Sequence, residues 1–246
     1  MKRLHTYSQH FLRRPAFIKE LVGHSNIRKN DVVYDLGAGS GAISAVLSTR
    51  CKRVVAVEVE PGTLAVLKRN MKRYGNVDVV ESDIMSVLFP SEPFKIFANI
   101  PFDVSSPLLR RIFEEPSGLK SAYLIVQKQF ARKLLIDSDY FTGALGAMIA
   151  PWYTARIRRP LRKTDFWPHP NVDTVLLEIK PREEPLLPVE AKTKYKEMIE
   201  QSFHDPNYFT KLPLKEAGIA EGVKPSEVKT DNWIGLFKVS KISEQG

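Results

Sequence analysis

Glycine and acidic residues follow short apolar runs in this sequence, with types and spacing that suit the binding of a nucleoside. After the first run comes a glycine loop whose glycines are Gly37, Gly39 and Gly41. Glycine is needed where the backbone turns with positive φ or where a ligand comes too close for a Cβ. Glu58 lies 23 residues after Asp35, where an acid at the end of a parallel strand binds ribose hydroxyls. Asp83 ends the next run and can accept a hydrogen bond from an adenine amino group.

Each of these signals is weak by itself. The glycine spacing is G-x-G-x-G and not the G-x-G-x-x-G of dinucleotide enzymes, which argues against a nicotinamide cofactor. A tight strand–helix turn without a ligand would also explain the glycines, and a single acid is more often a helix cap or a solvated strand end. The joint arrangement on three successive strand ends favours a binding site.

A four-residue motif, Asn99-Ile100-Pro101-Phe102, ends the fourth apolar run. Because proline fixes φ and removes a backbone donor, it can hold Asn99 and an aromatic ring in fixed positions. An adenine exocyclic amine is a poor nucleophile, since its lone pair is delocalised into the ring. Acceptance of its two N–H bonds by the Asn99 side chain and the Ile100 carbonyl would localise that lone pair, and Phe102 would stack on a flipped base. The motif predicts attack by this amine without prior removal of a proton by a general base.

Strand-like and helix-like patterns alternate through residues 31–181 and predict how these motifs come together. The alternation implies an α/β fold with an open, mostly parallel sheet. Such sheets bind ligands at the carboxyl ends of their strands, where the motifs lie. A proline-rich, acidic stretch at 180–188 predicts a boundary, so we expect a catalytic domain over 1–181 and a small helical domain over 182–246. The predicted strands are 31–36, 53–58, 77–81, 94–98, 119–126 and a terminal hairpin at about 148–157 and 172–179.

The charge balance favours a polyanionic partner. The 246 residues contain 37 Lys and Arg against 28 Asp and Glu, a net charge of +9, and the surplus lies in residues 1–180. An excess of this size points to a polyanion or an acidic membrane surface. The lone cysteine, Cys51, excludes an internal disulfide, and the absence of zinc-ligand spacing leads us to expect no metal. Without a visible signal sequence or membrane-length apolar stretch, we expect a soluble, monomeric cytoplasmic protein.

Basic residues cluster at 156–163 and on other segments near the predicted strand ends. Phosphates of folded RNA attract such side chains without sequence readout. For any single arginine a solvated surface position is the simpler interpretation, whereas RNA contact is favoured for the cluster as a whole. The predicted RNA-binding residues are Arg110, Arg111, Lys128, Arg132, Lys133, Arg156, Arg158, Arg159, Arg162 and Phe166.

Together the motifs resemble the S-adenosylmethionine-dependent rRNA adenine N6-methyltransferases, namely the erythromycin-resistance (Erm) enzymes and their KsgA-type relatives in ribosome assembly. The resemblance covers about residues 7–181 and includes two further motifs, Tyr7-Ser-Gln-His-Phe-Leu12 and Phe166-Trp-Pro-His-Pro-Asn-Val-Asp173. It implies a Rossmann-like methyltransferase fold with S-adenosylmethionine as cofactor. The cofactor-binding residues expected on this basis are His10, Leu12, Gly37, Gly39, Gly41, Glu58, Asp83, Ile84 and Asn99.

Three departures from the family pattern affect which of the family's residue roles we expect in this chain. The family usually has Asn where this chain has His10, so only a backbone contact is expected there. Phe102 replaces a frequent Tyr, and stacking needs the ring rather than the hydroxyl. Ile100 replaces the Leu that is usual in the assembly enzymes, which together with the chain length favours the Erm branch.

The resemblance implies methylation of an adenine in 23S (large-subunit) rRNA before full ribosome assembly, and thereby resistance to macrolides, lincosamides and streptogramin B. The first alternative is a small-subunit rRNA adenine dimethyltransferase. A DNA adenine methyltransferase ranks third, because its Asn-Pro-Pro-aromatic motif differs at Ile100. A non-catalytic RNA-binding protein that retains the fold is the alternative from another class, against which the intact site residues argue. The sequence leaves open whether one or two methyl groups are added.

Overall fold

The computed structural model describes residues 11–12, 14–114, 118–135 and 142–240; the predicted cofactor residue His10 lies outside them. The strands in these ranges are β1 Phe11–Leu12, β2 Val32–Leu36, β3 Arg53–Glu58, β4 Val77–Glu81, β5 Phe94–Asn99, β6 Leu119–Gln127, β7 Tyr153–Leu161, β8 Phe166–Trp167 and β9 Thr174–Pro181. The α-helices are α1 Pro15–Gly23, α2 Ala42–Ser48, α3 Pro61–Met71, α4 Ser105–Glu114, α5 Lys128–Arg132, α6 Ala144–Ile149, α7 Lys192–His204, α8 Pro206–Lys211 and α9 Thr230–Val239.

Seven of these strands form one sheet in the order β4-β3-β2-β5-β6-β9-β7. The pairs β2–β3, β3–β4, β2–β5 and β5–β6 are parallel, and β6–β9 is antiparallel. The predicted mostly parallel, Rossmann-like sheet is therefore confirmed. After β2, the chain adds β3 and β4 on one side of β2 in the sheet. It then crosses back and adds β5 on the other side of β2. Ligands bind at the carboxyl edge beside such a reversal, which is where β2 and β5 end.

One predicted element is wrong. The sequence predicts residues 148–150 in the first strand of the terminal hairpin. In the structure, residues 148 and 149 belong to helix α6, residue 150 follows it, and β7 begins only at Tyr153. The run from Ala144 to Ile149 is apolar throughout, and periodicity does not separate a buried helix from a buried strand in such a run. The helix packs closely on the chain before it, because a Cβ on Gly146 would lie 2.5 Å from the Lys133 carbonyl oxygen.

The chain divides into two compact units, one of residues 1–128 and 156–180 and the other of residues 129–155 and 181–246. The boundary predicted from the sequence, after residue 181, lies one residue beyond the third crossing between the units, which follows residue 180. Residues 129–155, which the sequence assigned to the first domain, cluster with the second unit. Along the described part of the chain, no helix combines the length and apolar character needed to cross a membrane.

Each unit has its own core. In the first, Phe17, Leu21 and Leu47 of α1 and α2 belong to a buried cluster that includes residues of the sheet. The second unit is built on aromatic contacts: the Tyr195 ring lies 5.6 Å from Trp152 and 5.4 Å from Phe237, measured between centroids. Tyr195 lies on α7 and is fully buried.

Candidate active site

The glycine loop connects β2 to α2 with three left-handed residues. Gly37, Gly39 and Gly41 have φ of 70°, 57° and 90°, which side chains rarely adopt without strain. A Cβ on Gly41 would lie 2.5 Å from the Met71 Cε, so this glycine also permits the packing of α3. A Cβ on Gly37 would meet no atom within 4 Å, which leaves open space beside the loop.

Glu58, at the end of β3, shapes this loop as well as bordering it. One carboxylate oxygen accepts a hydrogen bond from the Gly39 N–H at 2.9 Å, and the other accepts from Val59 at 2.9 Å and from Glu60 at 3.0 Å. The residue is 4% exposed. Because an ionised carboxylate has about four acceptor positions, these bonds leave capacity for a further donor.

The turn after β4 carries Asp83 and Ile84. The Asp83 carboxylate accepts a hydrogen bond from the Met85 N–H at 2.8 Å and is otherwise exposed, whereas Ile84 is buried. Arg111 of α4 donates hydrogen bonds to the carbonyl oxygens of Ile84, at 3.1 Å, and Val87. The Arg111 guanidinium therefore holds the turn after β4, and RNA contact by this half-buried residue stays a prediction.

The motif at 99–102 bends the chain from β5 into a 3₁₀ helix, Phe102–Val104. Ile100 as a whole residue is 2% exposed. The Pro101 carbonyl accepts hydrogen bonds from the Val104 N–H at 3.3 Å and the Ser105 hydroxyl at 3.2 Å. These bonds fix the direction in which the half-buried Phe102 leaves the strand.

The carboxyl ends of β2, β3, β4 and β5 enclose one cavity of about 500 Å³, within the usual range for small-molecule sites. The predicted residues that line it are Leu12, Gly37, Gly39, Glu58, Asp83, Ile84, Asn99, Ile100, Pro101 and Phe102. The structure thus brings most of the predicted cofactor-binding and catalytic residues to one place. Gly41 is not among the lining residues, because its Cβ position faces Met71 and Leu67.

Sequence reasoning missed other residues of the cavity wall. Val59 is 52% exposed beside Glu58. Glu60 caps α3 by accepting hydrogen bonds from the Gly62 and Thr63 N–H groups, which lower the pKa of its carboxyl. An acid followed by Pro61 at a helix start was the sequence signal for this cap. The further lining residues are Ala38, Ser40, Ala42, Ile43, Thr63, Asp103 and Val104.

Asp35, at the start of the glycine loop, is fully buried. One carboxylate oxygen accepts a hydrogen bond from the Ser44 hydroxyl at 2.6 Å, and the other has no hydrogen-bond partner among the described residues. Burial raises the pKa of Asp35 to about 7, although the bond from Ser44 opposes the shift. The carboxyl therefore titrates near neutral pH beneath the loop.

The basic run at 156–163 does not form a single face, because side chains alternate along β7. Arg156 is exposed. Arg158, on the same face, lies 3.8 Å from the Glu178 carboxylate, which also accepts a hydrogen bond from the Tyr123 hydroxyl at 2.6 Å. Burial would raise the pKa of Glu178, but hydrogen bonds from Tyr123 and Lys180 lower it below its ordinary value.

Arg159 points to the opposite face of β7. It forms an ion pair with Glu20 of α1, and its guanidinium lies 5.6 Å from the centre of the Phe17 ring. This packing gives Arg159 a structural contact, and RNA contact by its half-buried side chain stays a prediction. Phe166 requires correction as an RNA-binding residue, because it is 1% exposed and belongs to the core.

The remaining predicted RNA-binding residues lie in both units. In the first unit, Arg162 is exposed, Arg110 is half-buried, and the Lys128 ammonium lies 3.9 Å from the Asp173 carboxylate. In the second unit, Lys133 is exposed and Arg132 is half-buried. RNA contact by these residues stays a prediction.

Comparison with known proteins agrees with this geometry. The family model of ribosomal RNA adenine dimethylases matches residues 2–210. The rRNA adenine N-6-methyltransferase of Lysinibacillus sphaericus is 29% identical over 243 residues, covering 96% of each chain. The ribosomal RNA small subunit methyltransferase A of Clostridium botulinum is 24% identical over 204 residues, covering 80% of this chain and 74% of its own. The crystal structure of the 23S rRNA methyltransferase ErmE superposes with a TM-score of 0.80 and 25% identity, covering 93% of this chain and 98% of that one.

Proposed function

This chain belongs to the ribosomal RNA adenine dimethylase family and is an rRNA adenine N6-methyltransferase, and we propose that it uses S-adenosylmethionine to methylate an adenine of large-subunit rRNA. The observation that carries the proposal is the convergence of the glycine loop, Glu58, Asp83 and residues 99–102 on one cavity. The proposed consequence is resistance to macrolides, lincosamides and streptogramin B.

The cavity fits an adenosine-containing cofactor. Glu58 retains acceptor capacity for ribose hydroxyls after its three backbone bonds. One carboxylate oxygen of Asp83 accepts from Met85, and the other suits an adenine amino group. The open space at Gly37 lets a ligand approach the backbone. Ile84 and Val59 supply apolar surface on which an adenine ring can lie.

S-adenosylmethionine supplies an electrophilic methyl group on a sulfonium centre. The role of this chain is to present the substrate amine to it. We assign Asn99 and the Ile100 carbonyl as acceptors of the two amine N–H bonds, which localises the nitrogen lone pair. Phe102 stacks on the flipped adenine and holds its plane. Because nitrogen attacks with its lone pair, the amine proton can leave after the new bond forms.

Large-subunit rRNA is favoured as the substrate because the structure of ErmE, a 23S rRNA methyltransferase, covers 93% of this chain with a TM-score of 0.80. The 24% identical small-subunit methyltransferase A of Clostridium botulinum supports the second candidate, methylation of small-subunit rRNA. Both candidates use the same cavity and differ in the RNA.

The deciding experiment is transfer of labelled methyl groups to protein-free 23S and 16S rRNA. We expect label in an adenine of 23S rRNA, none with the Asn99→Ala protein, and growth on erythromycin of cells that express the wild type. Label confined to 16S rRNA would establish the second candidate. Label in neither RNA, with bound cofactor demonstrated by calorimetry, would refute both.

A further inference from the structure

An aromatic ring at the end of β8 is exposed although the residues beside it are core. Trp167 is 52% exposed, whereas Phe166 is 1% exposed. Side chains alternate between the two faces of a strand, so burial of Phe166 turns Trp167 outward. The other tryptophans, Trp152 and Trp233, are 5% and 0% exposed. Neither the cavity nor the proposed chemistry uses Trp167.

Pairing of β8 with β1 brings this ring close to the cavity. Leu12 lies opposite Phe166 in the antiparallel pair and lines the cavity wall. Trp167 is the next residue along β8, so its Cα lies within about 7 Å of the Leu12 Cα, given strand spacing and residue rise. The ring therefore stands at the side of the site, on the outer face of the two-stranded ribbon.

The chain around Trp167 is basic. Arg162 and Lys163 are exposed, and Arg14 is 67% exposed along its side chain. The acid of this segment, Asp165, is buried and bonded to Arg14 at 2.8 Å, so it offers little negative charge to solvent. An exposed aromatic ring among cations is typical of surfaces that bind single-stranded nucleic acid through stacking and phosphate contacts.

The ring is also supported from within its loop. The His169 ring meets Trp167 edge-on, with centroids 5.7 Å apart and planes at 83°. His169 itself is held by its Nδ1, which donates to the Lys163 carbonyl oxygen at 2.9 Å. This contact restricts the Trp167 side chain, so less conformational freedom is lost when a base binds to its exposed surface.

We propose that Trp167 stacks on an unpaired nucleotide that adjoins the target adenine, and so positions the RNA strand at the cavity. The inference rests on the proposed function and adds to it a second stacking contact outside the cavity. It names the substrate class as a single-stranded or loop segment, because a base inside a duplex has no free face.

Fluorescence tests the contact directly, because Trp167 is the exposed one of three tryptophans. A ten-residue oligoadenylate should quench the emission of the wild type and of a Trp152→Phe protein, and the quenching should disappear in Trp167→Phe. Binding of the same labelled oligonucleotide, followed by anisotropy, gives affinity independently. Emission that stays unchanged while anisotropy reports binding would overturn the inference.

The affinity series separates stacking from structure. We expect Trp167→Phe to bind the oligonucleotide nearly as the wild type does, and Trp167→Ala to bind about 5- to 100-fold more weakly, the range that loss of one stacked base gives. Leu88→Ala, which removes another exposed apolar side chain, should bind normally. S-adenosylhomocysteine affinity should be equal in all proteins, and Trp167→Ala should raise KM for rRNA more than it lowers kcat.

The same experiments distinguish failure of the Trp167 inference from failure of the proposed function. If the wild type methylates rRNA and Trp167→Ala matches it in RNA affinity and KM, the inference is wrong and the proposed function stands. If the wild type neither binds RNA nor transfers methyl groups to it, the proposed function fails and the inference fails with it.

Discussion

The guanidinium of Arg111 donates a hydrogen bond of 3.1 Å to the carbonyl oxygen of Ile84. Arg111 lies on α4, which follows the Asn99 motif, and Ile84 lies in the turn after β4, which carries Asp83. The same guanidinium bonds the Val87 carbonyl and lies 5.2 Å from the centre of the Phe89 ring. One side chain therefore connects the element behind the proposed base pocket to the turn proposed to hold the adenine of the cofactor.

Replacement of Arg111 by leucine should weaken cofactor binding. It leaves two carbonyl oxygens without this donor, and an unsatisfied buried group costs about 1–3 kcal/mol. We expect a lower melting temperature and weaker binding of S-adenosylhomocysteine in calorimetry. The matched control is Arg110→Leu on the same helix, which should instead reduce the salt dependence of RNA binding. The assignment is wrong if the two variants lose the same property.

Glu58 should affect both the loop and the ligand. Sequence reasoning alone predicts a lost ribose contact with folding little changed. The three backbone bonds to its carboxylate add a structural cost, since Glu58→Ala leaves the amides of Gly39, Val59 and Glu60 without this acceptor. We expect cofactor affinity to fall by about 1–3 kcal/mol and the free energy of unfolding to fall as well.

Glu58→Gln provides the control, because it keeps an acceptor oxygen and the side-chain volume. Its stability should lie between those of the wild type and Glu58→Ala, and its affinity for S-adenosylhomocysteine should fall less. Wild-type affinity in Glu58→Ala would exclude a ribose contact.

Local signals explain why much of this site was predictable. Glycine in a tight turn, proline after Asn99, and strand ends marked by polar residues are properties of a few neighbouring residues. The bounds of β3 and β4 were predicted to the residue for the same reason. Because the strands are parallel, their carboxyl ends lie at the same edge of the sheet, so no further sequence signal is needed to predict that these residues lie together.

Long-range partners explain what was missed. Arg111 and Arg159 are basic residues like their neighbours, and the carbonyls and α1 residues that they contact lie 24 to 142 positions away. Burial of Phe166 depends on its pairing with Leu12 across 154 positions. No local pattern distinguishes these residues from exposed ones, so the sequence placed all three on the RNA-binding surface.

Asp35 should make stability fall as pH rises. Its pKa is raised by burial from an ordinary 3.8 to about 7 in the folded protein, so between these values the folded state binds the extra proton. The contribution of Asp35 to the free energy of unfolding is therefore fully present below about pH 4 and is lost as pH rises through 7. Asp35→Asn should gain stability relative to the wild type at pH 8, on the order of 2–4 kcal/mol.

Urea unfolding at pH 5, 6, 7 and 8 measures the effect. The difference between Asp35→Asn and wild type should grow across this range and level off above pH 7. Ser44→Ala is the matched variant: it removes the bond that opposes the shift, so its stability should continue to fall above pH 7, where that of the wild type levels off. Parallel profiles for Asp35→Asn and wild type would show that Asp35 is ionised throughout.

The basic run should separate into residues that bind RNA and residues that stabilise the fold. Arg156→Ala should reduce the slope of the logarithm of RNA affinity against the logarithm of salt concentration by about 0.7–0.9, the contribution of one phosphate contact. Arg159→Ala should leave that slope unchanged and lower the free energy of unfolding by about 1 kcal/mol, because it loses the Glu20 pair and the Phe17 contact. An effect of Arg159→Ala on the salt slope would return it to the RNA-binding surface.

The base pocket should show an order of effects that separates catalysis from binding. Phe102→Tyr should retain activity, since stacking is preserved and the ring is half-buried with room at the cavity rim. Phe102→Ala should lose most of it, because stacking is worth about 1–3 kcal/mol per base. Asn99→Ala should be the most severe, since it removes the acceptor that localises the amine lone pair, and its loss should appear in kcat at saturating RNA.

The measurement is single-turnover methyl transfer at saturating RNA and cofactor, with S-adenosylhomocysteine affinity measured beside it. Because Asn99 also lines the cavity, weaker cofactor binding in Asn99→Ala must be overcome by concentration before rates are compared. A Phe102→Ala defect that disappears at high RNA concentration would mean that the ring contributes affinity alone. An Asn99→Ala rate equal to that of the wild type under the same conditions would remove Asn99 from the catalytic step, and the acceptors of the amine protons would have to be sought elsewhere on the cavity wall.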